Sequence, residues 1–319
     1  MPSRRLFFPA LLAVLLLSKL LLSLLIFQEP KRAFVNDEYG YEDLALTILH
    51  DHSYTPRDDP GLGLIRPPGY PLLVAAVYSV AGQVPGAVIL VQLIVGALTS
   101  LVIYRIGARL FSESAGILAA IIFALSPQAT VVSLYLLTDT LFTLLLSTSF
   151  YCLVRYLQDS RNNWIFLSGL LFGILAMVRP VGFYLFIIWM IFIIASKPRH
   201  NRLTQAWKPA LLFAVGFFVL VFPWMWRNYG LSGRVIFTTA DAQNMFCCYA
   251  PAALAADKNI SIAQARERSI QLSRKFESCR YPASLPSGRC RDSSSYAASN
   301  GLCKSTHSGL ADDDVLPPL

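Results

Sequence analysis

Long apolar runs alternate along the chain with short polar breaks. Runs over 6–27, 86–104, 115–133, 137–154, 164–178, 180–196 and 209–226 predict helices, and most could cross the ~30 Å of a bilayer's hydrocarbon. This pattern counts seven crossings. The third run is interrupted by "SPQ" at 126–128, and the short fifth and sixth runs meet at Arg179-Pro180. Proline ends or kinks a helix there, because it lacks an N–H and clashes with the preceding turn. The first run, within "MPSRRLFFPALLAVLLLSKLLLSLLIF", starts like a secretory leader. It has no A-x-A cleavage pattern, so it is expected to remain as a span.

Between the first two runs stands "FVNDEYGYEDLALTIL". Tyr41, Leu44, Ala45, Ile48 and Leu49 recur at helical spacing, with Glu42, Asp43 and Thr47 largely off that face. Such a short amphipathic helix is expected to lie in the interface plane. "RPPGYPLLVAAVYSVAG" (66–82) follows, where two prolines bias Arg66 towards extended backbone before another apolar helix begins. After residue 230 the long pattern stops. From Ser273 the text is rich in Ser, Arg and Pro without helix or strand period, and it reads as disordered. A shifted reading frame would produce such text. The expected division is a membrane domain over 1–230, with its first outer loop at 28–85, then an outer-side segment at 231–272 and the irregular tail at 273–319.

Composition fixes the class. Of 319 residues, 55% are hydrophobic and only 14% charged, against roughly a quarter charged in soluble domains. The fold class is all-α, a polytopic membrane protein. The net charge of +8 does not imply nucleic acid, since its cations lie mostly between apolar runs or in the tail. Cys152, Cys247, Cys248, Cys279, Cys290 and Cys303 show no CxxC and no metal spacing. A disulfide among the last five requires the tail to lie outside, and its pairing is not readable.

Loop charges orient the bundle. With the N-terminus inside, the inside segments hold Arg4, Arg5, Arg105, Arg109, Arg155, Arg161, Lys197, Arg199, Arg202 and Lys208. The short outside turns hold only Arg179, as the positive-inside rule requires. Lys31 and Arg32 dissent mildly. Asp37, Arg66, Asp139, Arg179 and Arg227 then all fall at the outer face, which looks like a site rather than scatter.

Each of these groups has a plain reading beside a chemical one. Asp37 at the helix start is either a cap or an outward carboxylate serving as general base, and the two are compatible. Arg66 is an interfacial arginine or a phosphate ligand, which guanidinium binds bidentately. Asp139 opens the fourth span as a cap, or faces Asp37 as a second acid sharing a metal. Arg227, with Trp224, Trp226 and Tyr229, fits an interfacial belt. Lys19 inside the first span is expected to face the bundle or snorkel. "HDH" at 50–52 reads as solvated loop histidines. P-loop, HExxH, GxSxG and dinucleotide patterns are missing from the sequence.

In order, "NDEYGYEDLALTIL", "RPPGYPLLVAAVY", "TDTLF", "GLLFGILAMVRP" and "FPWMWRNYG" resemble integral-membrane glycosyltransferases of the GT-C fold. The likeness is to the protein O-mannosyltransferase-like family 39 and its relatives, the aminoarabinose transferases, and it covers residues 1 to about 250. It implies transfer from a polyprenyl-phosphate sugar donor to an acceptor on the periplasmic side of the inner membrane, with inversion. Asp37 would be the base and Glu38 its neighbour in the acidic pair. Arg66 and Tyr70 would bind the donor, with Arg179 and Arg227 as further phosphate contacts. A divalent metal, held by Asp37 and Asp139, is the one cofactor it admits. The expected partners are the membrane lipid, the donor and a sugar acceptor. Family members usually run longer, so the chain is expected to be C-terminally truncated and its activity impaired. A transporter or flippase would place charges at mid-bilayer in repeated halves, and a non-catalytic scaffold would tolerate loss of Asp37.

Overall fold

The computed structural model describes residues 13–21, 24, 38–55, 62–196, 202–241, 245, 249–265 and 267–269, and among them every regular element is helical. The helices are α1 (13–21), α2 (Glu38–Asp51), α3 (Leu62–Ile65), α4 (Gly69–Ala81), α5 (Pro85–Leu110), α6 (Glu113–Ala124), α7 (Pro127–Ser133), α8 (Asp139–Asp159), α9 (Asn162–Val178), α10 (Val181–Ala195), α11 (Arg202–Ser232) and α12 (Ala250–Lys258). The irregular tail and the five cysteines beyond Cys152 lie outside the described residues.

The apolar runs became helices close to where the pattern put them, but their lengths differ from the seven-crossing count. Three described helices are long and apolar enough to cross by themselves: Pro85–Leu110, Asp139–Asp159 and Gln205–Ser232. A fourth crossing is possible from α6 and α7 together, bent by 54° at their break. The break falls on the expected "SPQ". Ser126 accepts a hydrogen bond from the Ala129 amide at 3.3 Å, and Pro127 opens the new helix, so one helix is capped out of another. The α9 and α10 helices have only 17 and 15 residues. Pro180 explains the short α9, because the residue before a proline is pushed out of the helical region. Arg179 accordingly has φ −143° and ψ 126°. The α11 helix, Arg202–Ser232, extends beyond the expected 209–226 at both ends and contains Pro209 and Pro223.

The centre of the bundle is α9, packed between α8 and α11. A Cβ on Gly169 would sit 2.1 Å from the Phe213 carbonyl oxygen, so only glycine permits this approach. Close backbone contact of this kind is how helices associate in lipid, where hydrophobic burial gives no drive. On the other face of α9, Ser168 and Ser149 hydroxyls lie 2.9 Å apart and donate to each other's backbone carbonyls. Phe172, Phe186, Phe213 and Phe217 fill the α9–α10–α11 interior, with the Phe186 and Phe217 rings 4.4 Å apart.

The outer surface is apolar. Ile187, Ile188, Ile191, Val219 and Phe222 are each more than half exposed. Of α10 only Gly182 and Ile193 are buried. A helix apolar all round, with most of it uncovered, is a lipid-facing helix. The chain is a multi-pass, all-α membrane protein. At one end of the bundle Arg109 bonds Gln158 at 3.0 Å and Arg155 pairs with Asp159 at 2.7 Å. The opposite end carries Asp139, Arg179 and Arg227.

Candidate functional site

At that opposite end, α2 lies on α4. Leu44 and Ala45 are fully buried, and Tyr41, Ile48 and Leu49 pack against the core, which is the face the spacing predicted. Glu42, expected off that face, instead reaches α4 and accepts a hydrogen bond from the Tyr78 hydroxyl at 2.8 Å.

Arg66 follows α3 and lies over the Tyr41 ring, its guanidinium carbon 4.0 Å from the ring centre. Gly40 makes the room: a Cβ there would be 2.9 Å from Arg66 Nε. The stack fixes the plane of the guanidinium and leaves its charge intact. Tyr54 then donates from its hydroxyl to the Arg66 carbonyl oxygen at 2.9 Å. Burial raises the Tyr54 phenol above its ordinary range, while the nearby Arg227 and Arg66 charges act against that rise.

Tyr54 also joins Arg66 to the last long helix. Its ring stands edge-on to Trp224 at 5.4 Å. Arg227 lies over both rings, 5.2 Å from Tyr54 and 4.6 Å from Trp224. Its Nη1 donates to the Gly63 carbonyl at 3.1 Å and the Asn228 side chain at 3.0 Å, and its Nη2 donates to Thr55 Oγ1 at 3.0 Å. Arg227 thus pins the loop before α4 to the end of α11. All these acceptors are neutral, and among the described residues no carboxylate pairs with Arg227. The chain after α11 closes over the same loop, where Thr238 Oγ1 donates to the Ile65 carbonyl at 2.6 Å and the Thr239 amide to Leu64 at 3.1 Å.

Asp139 and Arg179 meet directly. The guanidinium donates to Asp139 Oδ1 in an ion pair, with both side chains about two-fifths exposed. The pair adjoins the Arg66 loop through Gly69, whose Cβ would fall 2.7 Å from the Met177 carbonyl oxygen. "RPPGY" and "MVRP" are therefore in backbone contact.

Tyr70, expected among the donor-binding residues, lies in the core with no exposed surface. Its hydroxyl donates to Gln92 Oε1 at 2.5 Å, and Gln92 donates in turn to the carbonyls of Ser133 and Tyr135 at 2.8 and 2.7 Å. Its ring supports Tyr41 edge-on at 5.0 Å, so it touches the site through Tyr41. Asp37 lies outside the described residues, and of Glu38 only its backbone place at the start of α2 is described. Gly40, Tyr54, Thr55 and Gln92 were not among the sequence candidates. Only an aromatic next to a loop, or a polar residue inside an apolar run, hinted at them. His50 and His52 are exposed, in keeping with solvated loop histidines. No group of three His, Cys, Asp or Glu that could hold a metal ion occurs among the described residues, and Asp139 spends one carboxylate oxygen on Arg179.

Residues 65–226 match the family described as dolichyl-phosphate-mannose-protein mannosyltransferase. The chain belongs to this family. It is a glycosyltransferase of the mannosyltransferase type, set in a membrane. No curated protein matches the chain. The family match takes in Arg66, Asp139 and Arg179 and ends one residue short of Arg227.

Proposed function

We propose that this mannosyltransferase-type enzyme transfers a sugar from a polyprenyl-phosphate donor to a hydroxyl acceptor, at the end of the bundle that holds Arg66. The observation carrying the reading is the convergence there of Arg66, Arg179 and Arg227 within a chain of this family. A phosphate leaving group gains negative charge as the glycosidic bond breaks, and fixed guanidinium groups stabilise that charge better than mobile water. Arg66 is held by its ring stack and Arg227 by its three neutral acceptors, so both are fixed in place.

The acceptor oxygen attacks the anomeric carbon as the bond to the phosphate oxygen breaks, and the phosphate departs with the electron pair. One displacement inverts the anomeric centre. The acceptor's proton passes to Asp37, the residue that precedes α2 in the sequence. A divalent ion shared by Asp37 and Asp139 belongs to the sequence reading alone.

The cations at the Arg109 end support a cytoplasmic reading of that end under the positive-inside rule. The site then faces the periplasm, across the inner membrane. The test is transfer of labelled sugar from polyprenyl-phosphate donors in membranes by the wild type and by Asp37→Asn at equal protein level. Transfer lost in the variant supports the reading, and equal transfer removes Asp37 from the mechanism. No transfer by the wild type from any such donor removes the donor assignment.

A further inference from the structure

Lys19 of α1 has no exposed surface. Its ammonium donates to Thr130 Oγ1 at 3.3 Å and lies 5.2 Å from the centre of the Phe123 ring. An ammonium has three protons to donate, and among the described residues no carboxylate pairs with this one. A buried ion without a counter-charge costs several kcal/mol, which a bundle retains only where something compensates it.

The surroundings are shaped for an anion. Lys19 lines a cavity of about 350 Å³ that extends to Asp139 and includes Ser126, Ser133, Thr140 and Thr143. That volume lies at the small end of the ~300–1,000 Å³ typical of ligand sites. Ser133 and Thr140 hydroxyls are 3.2 Å apart, and Ser133 Oγ donates to the Ala129 carbonyl at 2.8 Å, so a guest must draw these protons from their present acceptors. Gly96 borders the lysine stem, 3.4 Å from Lys19 Cε to the position of a Cβ, an ordinary contact distance. Among the described residues that line the cavity Asp139 is the one carboxylate, and it is paired with Arg179. The wall therefore offers one cation without a counter-charge among the described residues, and the hydroxyls of Ser126, Ser133, Thr140 and Thr143, of which Thr143 donates to the Asp139 carbonyl at 2.7 Å. Gln128, which lines the same cavity, lies exposed just after the α6–α7 break, so the break opens a way in from the side.

We propose that this cavity binds a phosphate group, with Lys19 as its counter-ion. A lysine ammonium binds phosphate as a point charge and hydroxyls complete the shell. A membrane lipid is one source of such a group and free phosphate is another. Identifying the lipid as the sugar donor rests on the function proposed above, whereas the anion site itself does not.

The full chain in phosphatidylcholine nanodiscs would be titrated with farnesyl phosphate, with farnesol and with inorganic phosphate. Wild type, Lys19→Met and Lys19→Arg would be compared by thermal midpoint and by binding. Farnesyl phosphate is expected to bind at least tenfold more weakly to Lys19→Met, and nearly as well as wild type to Lys19→Arg. Farnesol is expected to ignore Lys19. Inorganic phosphate that binds in a Lys19-dependent way, with farnesyl phosphate no tighter, supports the site and assigns it to free phosphate. Equal binding of farnesyl phosphate to wild type and to a folded Lys19→Met overturns the proposal, as does no phosphate binding at all. Lys19-dependent binding in a protein that transfers no sugar would keep the anion site and remove the donor assignment. Should Lys19→Met not fold, Thr130→Val, which removes the lysine's described polar partner, provides the second variant. Unchanged farnesyl phosphate affinity in that variant overturns the proposal.

Discussion

The Arg179 guanidinium donates to Asp139 across forty residues of sequence, tying the first turn of α8 to the turn between α9 and α10. Because both side chains are about two-fifths exposed, water competes for them, and the pair should contribute under about 1 kcal/mol to stability. Asp139→Asn and Arg179→Gln are therefore expected to lower the melting midpoint only slightly. Sugar transfer should fall at least tenfold in each, since Arg179 loses its fixed position or its charge. A double-mutant cycle on the transfer rate measures the coupling. Additive losses would show that the two residues act independently.

Arg227 makes a different case, because its hydrogen bonds hold a loop. Arg227→Ala removes three side-chain hydrogen bonds from a charged donor, a class worth roughly 1.5–3 kcal/mol each, net of exchange with water. The loop around Thr55 and Gly63 should then exchange amide hydrogen faster and be cut sooner by protease. Arg227→Lys should rescue charge but not the forked geometry. Hydrogen exchange on residues 52–66 checks this, and protection unchanged in Arg227→Ala would deny the clamp.

Tyr70→Phe should cost about 1–3 kcal/mol, since it strips a buried acceptor, Gln92 Oε1, of its donor. The ring would still support Tyr41. The expected outcome is a lower melting midpoint with little change in KM for the donor. A large KM effect at unchanged stability would put Tyr70 in direct contact with substrate.

Tyr54 links stability to alkaline pH. Its folded-state pKa is raised by burial, above roughly 10 in the unfolded chain. The protonated phenol thus contributes stability that is fully present below pH ~10 and is lost as pH rises towards the folded value. Wild type should lose melting temperature faster between pH 9.5 and 11 than Tyr54→Phe does. Parallel curves would mean that Tyr54 does not carry this dependence.

Gly69→Val should disrupt the contact between α4 and the end of α9, because the new Cβ would meet backbone at Met177 rather than a flexible side chain. Loss of folded protein, or a fall of several kcal/mol in stability, is expected by analogy with core overpacking. Normal stability would show that the two segments can separate.

Much of this was legible in the chain. Hydrophobic runs gave the helices because a peptide in hydrocarbon must satisfy its own N–H and C=O groups, and "SPQ" and Arg179-Pro180 gave breaks because caps and prolines act locally. The face of α2 followed from spacing. The number of full crossings did not, since length alone cannot say how a 15- or 17-residue apolar helix sits in a bilayer. Family resemblance named Arg66, Tyr70, Asp139 and Arg179, and the fold sets the Tyr70 hydroxyl on Gln92.

By itself, then, the sequence determined the class, the helical segments and the gathering of charges at helix ends, all of which depend on short-range periodicity and on the price of polar groups in lipid. Only the tertiary structure decided who partners whom: Asp139 with Arg179, Arg66 with Tyr41, Arg227 with Thr55 and Gly63, and Lys19 with a hydroxyl instead of an acid. Those pairings join residues from 25 to 172 positions apart, and no local pattern encodes a contact that exists only once the helices have packed.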